Sequence, residues 1–188
     1  MHSVEQAENL IRQGDYDQAI AALKVVLAEE PDNLHALLTI GIAYTESNHN
    51  EEALKALRFY IARDSESDLA WEAVGCAHLR MGNNGPAQEA LERAHRINPS
   101  NAGVLRNLSI LMSRIGQQEK AYSLLKQSYN LNNDDYLTAY ARACAYRQLK
   151  NPEKALSLFQ TLRNRDELPE ELREDSVMQY IELQLGWV

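Results

Sequence analysis

The sequence predicts an all-α solenoid, and two observations carry that prediction. Alanines recur at a constant spacing of 34 residues, at Ala19, Ala53, Ala87, Ala121 and Ala155. Around each alanine, apolar residues recur at helical spacing in two blocks that a short turn separates, and none of these blocks alternates as a strand does. A fixed period that holds over five copies is typical of stacked helical hairpins.

The third copy, residues 68–101, shows the hairpin most clearly. Its first block carries an apolar stripe of Trp71, Val74, Gly75 and His78. The pattern breaks at Gly82–Pro86 and then resumes with Ala87, Leu91 and Ala94. Pro99 closes the copy, because proline cannot continue a helix. Each copy is therefore predicted to form two helices of about a dozen residues.

These residues match a known pattern, W-x2-L-G-x2-Y followed by A-x3-F and a closing proline. The third copy has Trp71, Val74, Gly75 and His78 in the first part, and Ala87, Leu91 and Pro99 in the second. The chain thus resembles the tetratricopeptide repeat family over nearly its whole length. The resemblance implies a right-handed α-solenoid of helical hairpins with a C-terminal capping helix.

We predict a single solenoid domain over residues 1–188. The copies are predicted at 1–33, 34–67, 68–101, 102–135 and 136–168, and the capping helix at 169–186. The first helix of copy one is weak, which indicates either a polar end cap or a native chain that begins further upstream. Ser109 replaces the glycine of the pattern in copy four, and Arg142 stands where copy five should have Leu or Val. Trp187 either folds back on the last helix or is an exposed anchor.

Composition excludes several function classes. The net charge is −8 and the pI about 5.2, which argues against nucleic acid as a partner, since phosphate binding requires a basic surface. No apolar run approaches the roughly 20 residues that span a bilayer. The first 15 residues contain no apolar segment of a signal peptide, so we expect a cytoplasmic protein without direct membrane insertion. Cys76 and Cys144 lie at the same place two copies apart, and we predict free thiols.

The motifs of common enzyme classes are missing from the sequence. There is no H-E-x-x-H, no C-x-x-C, no glycine-rich phosphate loop and no G-x-S-x-G. The five histidines are scattered, and His78 is predicted to be a half-buried packing residue. We therefore expect no catalytic activity, no metal site and no cofactor.

In tetratricopeptide proteins the first helix of each hairpin lines a concave groove, and the resemblance places positions 2, 5, 6, 9, 12 and 13 of each copy there. The groove candidates in this sequence are Leu38, Ile42, Arg80, Arg106, Asn107, Ile110, Arg114, Tyr140 and Arg147. A set of arginines within an acidic protein favours a partner segment that carries carboxylates. The alternative is that these arginines are solvated or paired with acidic neighbours.

The resemblance implies a scaffold or adaptor that binds other proteins or peptide segments. The carboxylate clamp of chaperone-binding members is missing, because Leu38 and Ile42, or Glu72 and Cys76, stand where Lys and Asn are needed. The alternatives are a self-assembling bacterial scaffold, as in tetratricopeptide proteins that coat magnetosomes, and a secretion or envelope assembly factor. A homo-oligomer is expected only for the self-assembling scaffold. By analogy, the compact repeats favour a bacterial source.

Overall fold

A computed structural model describes residues 3–132, 135–165 and 168–185 of the chain. The C-terminal Trp187 lies outside the described residues. The described residues form eleven α-helices: α1 Val4–Arg12, α2 Tyr16–Glu29, α3 Leu34–Glu46, α4 Asn50–Ile61, α5 Asp68–Arg80, α6 Asn84–Ile97, α7 Ala102–Arg114, α8 Gln118–Leu131, α9 Tyr136–Gln148, α10 Pro152–Leu162 and α11 Glu170–Leu185.

The predicted fold class is confirmed: the helices form consecutive antiparallel hairpins, followed by one closing helix. The chain divides into two compact units. Unit 1, Met1–Pro99, contains the three hairpins α1–α2, α3–α4 and α5–α6. Unit 2, Ser100–Val188, contains the hairpins α7–α8 and α9–α10 together with α11. The prediction of one single domain stays a prediction.

A capping residue begins the first helix of each hairpin. From copy two onward the caps recur with the 34-residue period, at Asn33, Ser67, Asn101 and Asp135. Each side chain accepts a hydrogen bond from the backbone N–H three residues later, which satisfies a donor that has no partner within the helix. These caps set the start of each hairpin at the repeat boundary.

The turn inside each hairpin requires one residue with a left-handed backbone. That residue recurs with the same period, at Gly14, Asn48, Gly82, Gly116 and Lys150, with φ of 81°, 63°, 77°, 83° and 56°. Glycine and asparagine tolerate this conformation, whereas a lysine does not adopt it readily. Copy five therefore makes the same turn with Lys150, a residue for which the left-handed conformation is unfavourable.

The alanine ladder marks the crossing of the two helices in each hairpin. Ala19, Ala53, Ala87, Ala121 and Ala155 are all buried. The glycine of the first helix brings the two backbones close: a Cβ added at Gly41 would lie 2.7 Å from Leu57, and one at Gly75 would lie 2.5 Å from Leu91. Ala87 lies in this tight crossing, since its carbonyl oxygen is 3.5 Å from that same Cβ position at Gly75.

Unit 2 accommodates the two departures from the repeat pattern. Ser109 is buried, and its hydroxyl donates to the carbonyl oxygen of Arg106 at 2.6 Å. Arg142 lies with its guanidinium 3.9 Å from the ring centre of Tyr129, so a cation–π contact replaces the aliphatic packing expected at this position.

Candidate functional site

The groove face is the set of side chains at positions 2, 5, 6, 9, 12 and 13 of the first helices. In unit 1 it is carried by α3 and α5, and in unit 2 by α7 and α9. Side chains on one face of a helix follow the 3.6-residue turn, so these positions share a side of each helix.

On α3 the predicted groove residues contribute largely to the interior of unit 1. Leu38 and Ile42 are half-buried and pack against a core that includes Leu57 and Val74. The neighbouring Thr45 is buried, and its hydroxyl donates to the carbonyl oxygen of Gly41 at 2.9 Å. These residues therefore form the floor of the groove face.

Arg80 of α5 reaches across to the C-terminal end of α3. Its guanidinium donates to the carbonyl oxygens of Thr45 and Glu46, the latter at 3.1 Å, and to the Glu46 carboxylate at 2.9 Å. A cation at the C-terminal end of a helix is favourable, because the carbonyl groups there have no partners within the helix. Both side chains of the Arg80–Glu46 pair remain partly exposed.

In unit 2, Arg106 of α7 binds the capping residue of α9. Its guanidinium lies 2.5 Å from the Asp135 carboxylate, and both side chains are largely buried. Burial by itself would raise the pKa of Asp135, but hydrogen bonds from Thr138 and the charge of Arg106 outweigh it and hold the pKa below its usual value. Asp135 therefore serves both as an N-cap and as the partner of a groove arginine.

The remaining candidates on α7 differ in accessibility. Asn107 is only 7% exposed, whereas Ile110 and Arg114 are exposed on the surface of unit 2. Of these three predicted residues, Ile110 and Arg114 are therefore the ones accessible to a partner.

The groove face of α9 is partly covered by α11. The Tyr140 hydroxyl donates to the Asp175 carboxylate, and Arg147 donates to Gln179 and lies 3.4 Å from Glu182. Burial, followed by the bond to Asp175, raises the pKa of Tyr140 well above its usual value. Tyr140 and Arg147 thus hold the last helix in place.

α11 is the predicted C-terminal capping helix, and it stands in the place that the first helix of a sixth copy would take. It begins at Glu170, 34 residues after the start of α9 at Tyr136, and Tyr180 falls at the tyrosine position of the family pattern. Sequence reasoning treated this helix as a cap and missed its groove residues, Met178 and Ile181. The unbroken 34-residue count was the signal that could have found them.

Exposed apolar side chains lie on the groove faces of four first helices. Their exposed fractions are 51% for Leu69, 40% for Ile110, 36% for Leu137, 53% for Met178 and 39% for Ile181. By contrast, Arg80, Arg106 and Arg147 are ion-paired. The groove faces of α5, α7, α9 and α11 therefore present exposed apolar side chains, and the paired arginines lie beside them.

Other features of the described residues bear on the chemistry of the protein. Cys76 and Cys144 are free thiols, as predicted, and burial raises the pKa of Cys144. Within residues 3–132, 135–165 and 168–185, no three His, Cys, Asp or Glu side chains come together in a way that could hold a metal ion. Nor does any described helix combine the length and apolar character required to cross a membrane.

Repeated helical hairpins whose first helices present an open face define the class of helical-repeat proteins. Models of the tetratricopeptide repeat match residues 10–74 and 69–101. The chain belongs to the tetratricopeptide repeat family.

Relatives with curated descriptions share the repeat at low identity. A TPR repeat-containing protein of Pseudomonas aeruginosa is 27% identical over 136 residues, which are 72% of this chain and 23% of that protein. Anaphase-promoting complex subunit 3 of Schizosaccharomyces pombe is 22% identical over 151 residues, which are 80% of this chain and 23% of that protein. The chain therefore spans about a quarter of the length of these relatives.

Solved structures share the fold. A thermophilic TPR protein of Thermus thermophilus superposes with a TM-score of 0.85 at 20% identity, covering 95% of this chain and 97% of that one. MamA superposes with a TM-score of 0.64 at 23% identity, covering 92% of this chain and 96% of that one. At these identities the likeness concerns the fold.

Proposed function

We propose that this protein is a protein-interaction scaffold and that its groove faces bind segments of other proteins. The observation that supports this proposal most is the recurrence of exposed apolar side chains, Leu69 in unit 1 and Ile110 and Leu137 in unit 2, at groove positions. Single exposed apolar residues are common on any protein surface, but these recur on one face of successive first helices. One of the relatives is itself named as a subunit of a complex.

The contacts suggest which part of a partner each region would recognise. Apolar side chains of a partner segment would pack on Leu69 in unit 1, or on Ile110 and Leu137 in unit 2. An acidic side chain would compete with Glu46 for Arg80, because that pair is partly exposed. The Arg106–Asp135 pair is largely buried and is a structural contact. If a partner's carboxylate replaced Asp135 at Arg106, the charge of Asp135 would be left buried without a counterion, which would cost free energy. An acidic partner is thus a proposal centred on Arg80 and the exposed Arg114.

A quantitative pull-down tests the proposal. Ile110→Asp places a charge in the apolar part of the groove face, and Phe59→Asp is the matched control. Phe59 is 61% exposed and lies on α4, a second helix outside the groove face. We expect partner proteins captured by the wild type to be lost with Ile110→Asp and retained with Phe59→Asp. Equal capture by both variants would contradict binding through this face.

The cytoplasmic location and the bacterial source stay predictions.

Self-assembly is the second candidate function, and the surface of α11 favours it. Met178, Ile181 and Leu185 are exposed at spacings of three and four residues, which places them on one stripe of the helix. In a repeat fold this stripe is where a further helix would pack. If a second copy of the chain covered it, the contact would be heterologous and would propagate into chains of molecules.

Light scattering separates the two candidates. Met178→Glu with Ile181→Glu removes the apolar stripe and leaves the Tyr140 and Arg147 contacts of α11 intact. Oligomers of the wild type that dissociate in this double variant would support self-assembly. A monomer at every concentration would leave the scaffold for other proteins as the supported function.

A further inference from the structure

A pocket of 390 Å³ opens between α4 and α5 of unit 1. Its lining includes Leu54, Arg58 and Ile61 of α4 and Trp71, Val74 and His78 of α5. A volume of this size falls within the range of pockets that hold small ligands or one or two side chains. At about 100° per residue, Trp71, Val74 and His78 lie on the side of α5 opposite the groove residues Glu72 and Cys76. The pocket is therefore separate from the groove face.

The same place between consecutive hairpins is occupied by a tyrosine elsewhere in the chain. His78 holds position 11 of its copy, where copies two and five have Tyr44 and Tyr146. In unit 1, Lys24 of α2 lies 5.9 Å from the ring centre of Tyr44. In unit 2, the hydroxyls of Tyr146 and Tyr122 are 2.6 Å apart. Histidine is smaller than the tyrosine of these two copies, and in copy four the position is held by Met112.

The polar groups of the pocket lack partners. Arg58 is exposed and forms no ion pair with any other described residue, although arginines such as Arg63, Arg80 and Arg93 do. The Nδ1 atom of His78 is buried and has no hydrogen-bond partner among the described residues. No residue that lines the pocket is acidic, although the chain carries a net charge of −8. The Arg58 guanidinium can therefore pair with an anionic group that a ligand brings to the pocket, with the His78 imidazole beside it.

The remaining walls are apolar. The indole N–H of Trp71 donates to the carbonyl oxygen of Ser65 at 2.9 Å, so the ring offers only hydrocarbon to the pocket. Leu54, Ile61 and Val74 complete this surface. Burial, and then the charge of Arg58, lower the pKa of His78, which keeps the imidazole neutral and able to donate one hydrogen bond.

We propose that this pocket binds a carboxylate carried on a compact apolar group. The carboxylate accepts hydrogen bonds from Arg58 and His78, and the apolar group packs on Leu54, Ile61 and Trp71. Two sources supply this chemistry: the C-terminal residue of a peptide and a free branched-chain organic acid. The site is independent of the groove face, so it remains if the proposed function fails.

Titration followed by NMR tests the proposal through the indole N–H signal of Trp71, in a Trp187→Phe background that leaves one indole. The probes are 4-methylpentanoate, its neutral amide, and an acetylated tripeptide that ends in leucine with a free or amidated C-terminus. We expect a saturable shift with a carboxylate probe and binding weaker by about tenfold or more with the matching amide. Saturation by the tripeptide assigns a peptide terminus, and saturation by 4-methylpentanoate alone assigns a free acid.

Three variants complete the test. Arg58→Gln should weaken carboxylate binding by about tenfold. Lys55→Gln, the same charge change on the exposed surface of α4, should leave it unchanged. His78→Tyr restores the residue of the equivalent positions, and should fill the pocket and abolish binding while the chain stays folded. The proposal would be overturned by equal affinity for acid and amide or by an Arg58→Gln variant that binds like the wild type. The absence of any saturable shift would overturn it as well.

Discussion

Gly75 of α5 and Leu91 of α6 lie so close that a Cβ on Gly75 would meet the Leu91 Cγ at 2.5 Å. Gly75→Ala should therefore overpack the hairpin and lower the free energy of unfolding by about 1–3 kcal/mol. Gly85→Ala is the matched control, because nothing lies within 4 Å of a Cβ there. Urea denaturation should show a loss at Gly75 and an unchanged or higher stability at Gly85. Equal effects at the two positions would contradict the close helix crossing.

The left-handed backbone at Lys150 is predicted to reduce the stability of the fold, and a glycine at this position should relieve the strain. Its φ of 56° is unfavourable for lysine, whereas the equivalent Gly82 and Gly116 adopt it freely. Lys150→Gly should raise the free energy of unfolding by about 0.5–1 kcal/mol, after the greater freedom of glycine in the unfolded chain is subtracted. Gly116→Lys should have the opposite sign. Thermal melts of both variants check this, and a destabilised Lys150→Gly protein would count against the turn geometry.

The Arg106–Asp135 pair predicts a pH dependence of stability. The pKa of Asp135 is lower in the folded state than in the unfolded chain, where an aspartate titrates near about 4. The stabilisation is therefore fully present above about pH 5 and is lost as the pH falls through the unfolded and then the folded pKa. Asp135→Asn should be less stable than the wild type at pH 7, with a difference that shrinks on acidification. A difference that stays constant down to pH 3 would contradict the lowered pKa.

The thiol of Cys144 is predicted to react slowly. Burial is the main reason that its pKa is raised, so less thiolate is present at a given pH. Alkylation by iodoacetamide at pH 8, followed by mass spectrometry, should be slower at Cys144 in the folded chain than in the urea-unfolded chain. Equal rates in the two states would show that the thiol is not protected.

The repeat fold was predictable because its signals are local and periodic. The alanine ladder and the spacing from Trp71 to His78 recur whatever the chain packs against, so the hairpins and the buried place of Ala87 followed from the sequence. The half-buried state of His78 and the free cysteines were also predicted correctly. The register of α11 was overlooked, because Arg173 stands where the family pattern has tryptophan and only Tyr180 matches.

The partners of the groove residues were harder to predict. Arg80, Arg106 and Arg147 bind acidic or polar groups 29 to 35 residues away, and those contacts depend on how far each side chain reaches across neighbouring helices. A sequence places such residues on a face but does not pair them. The pocket beside His78 was also missed, because a pocket between two helices depends on how their side chains pack and not on a local spacing.

The proposal that the groove faces bind partner proteins is tested most directly by site-specific photo-crosslinking in cells that naturally make the protein. A benzophenone amino acid is placed at Leu69 or Ile110 on the groove faces, and at Phe59 on α4 as the control. The account predicts that the same partner proteins crosslink from the groove positions and that few or none crosslink from Phe59. Crosslinking from Phe59 alone, or equally from all three positions, would contradict it.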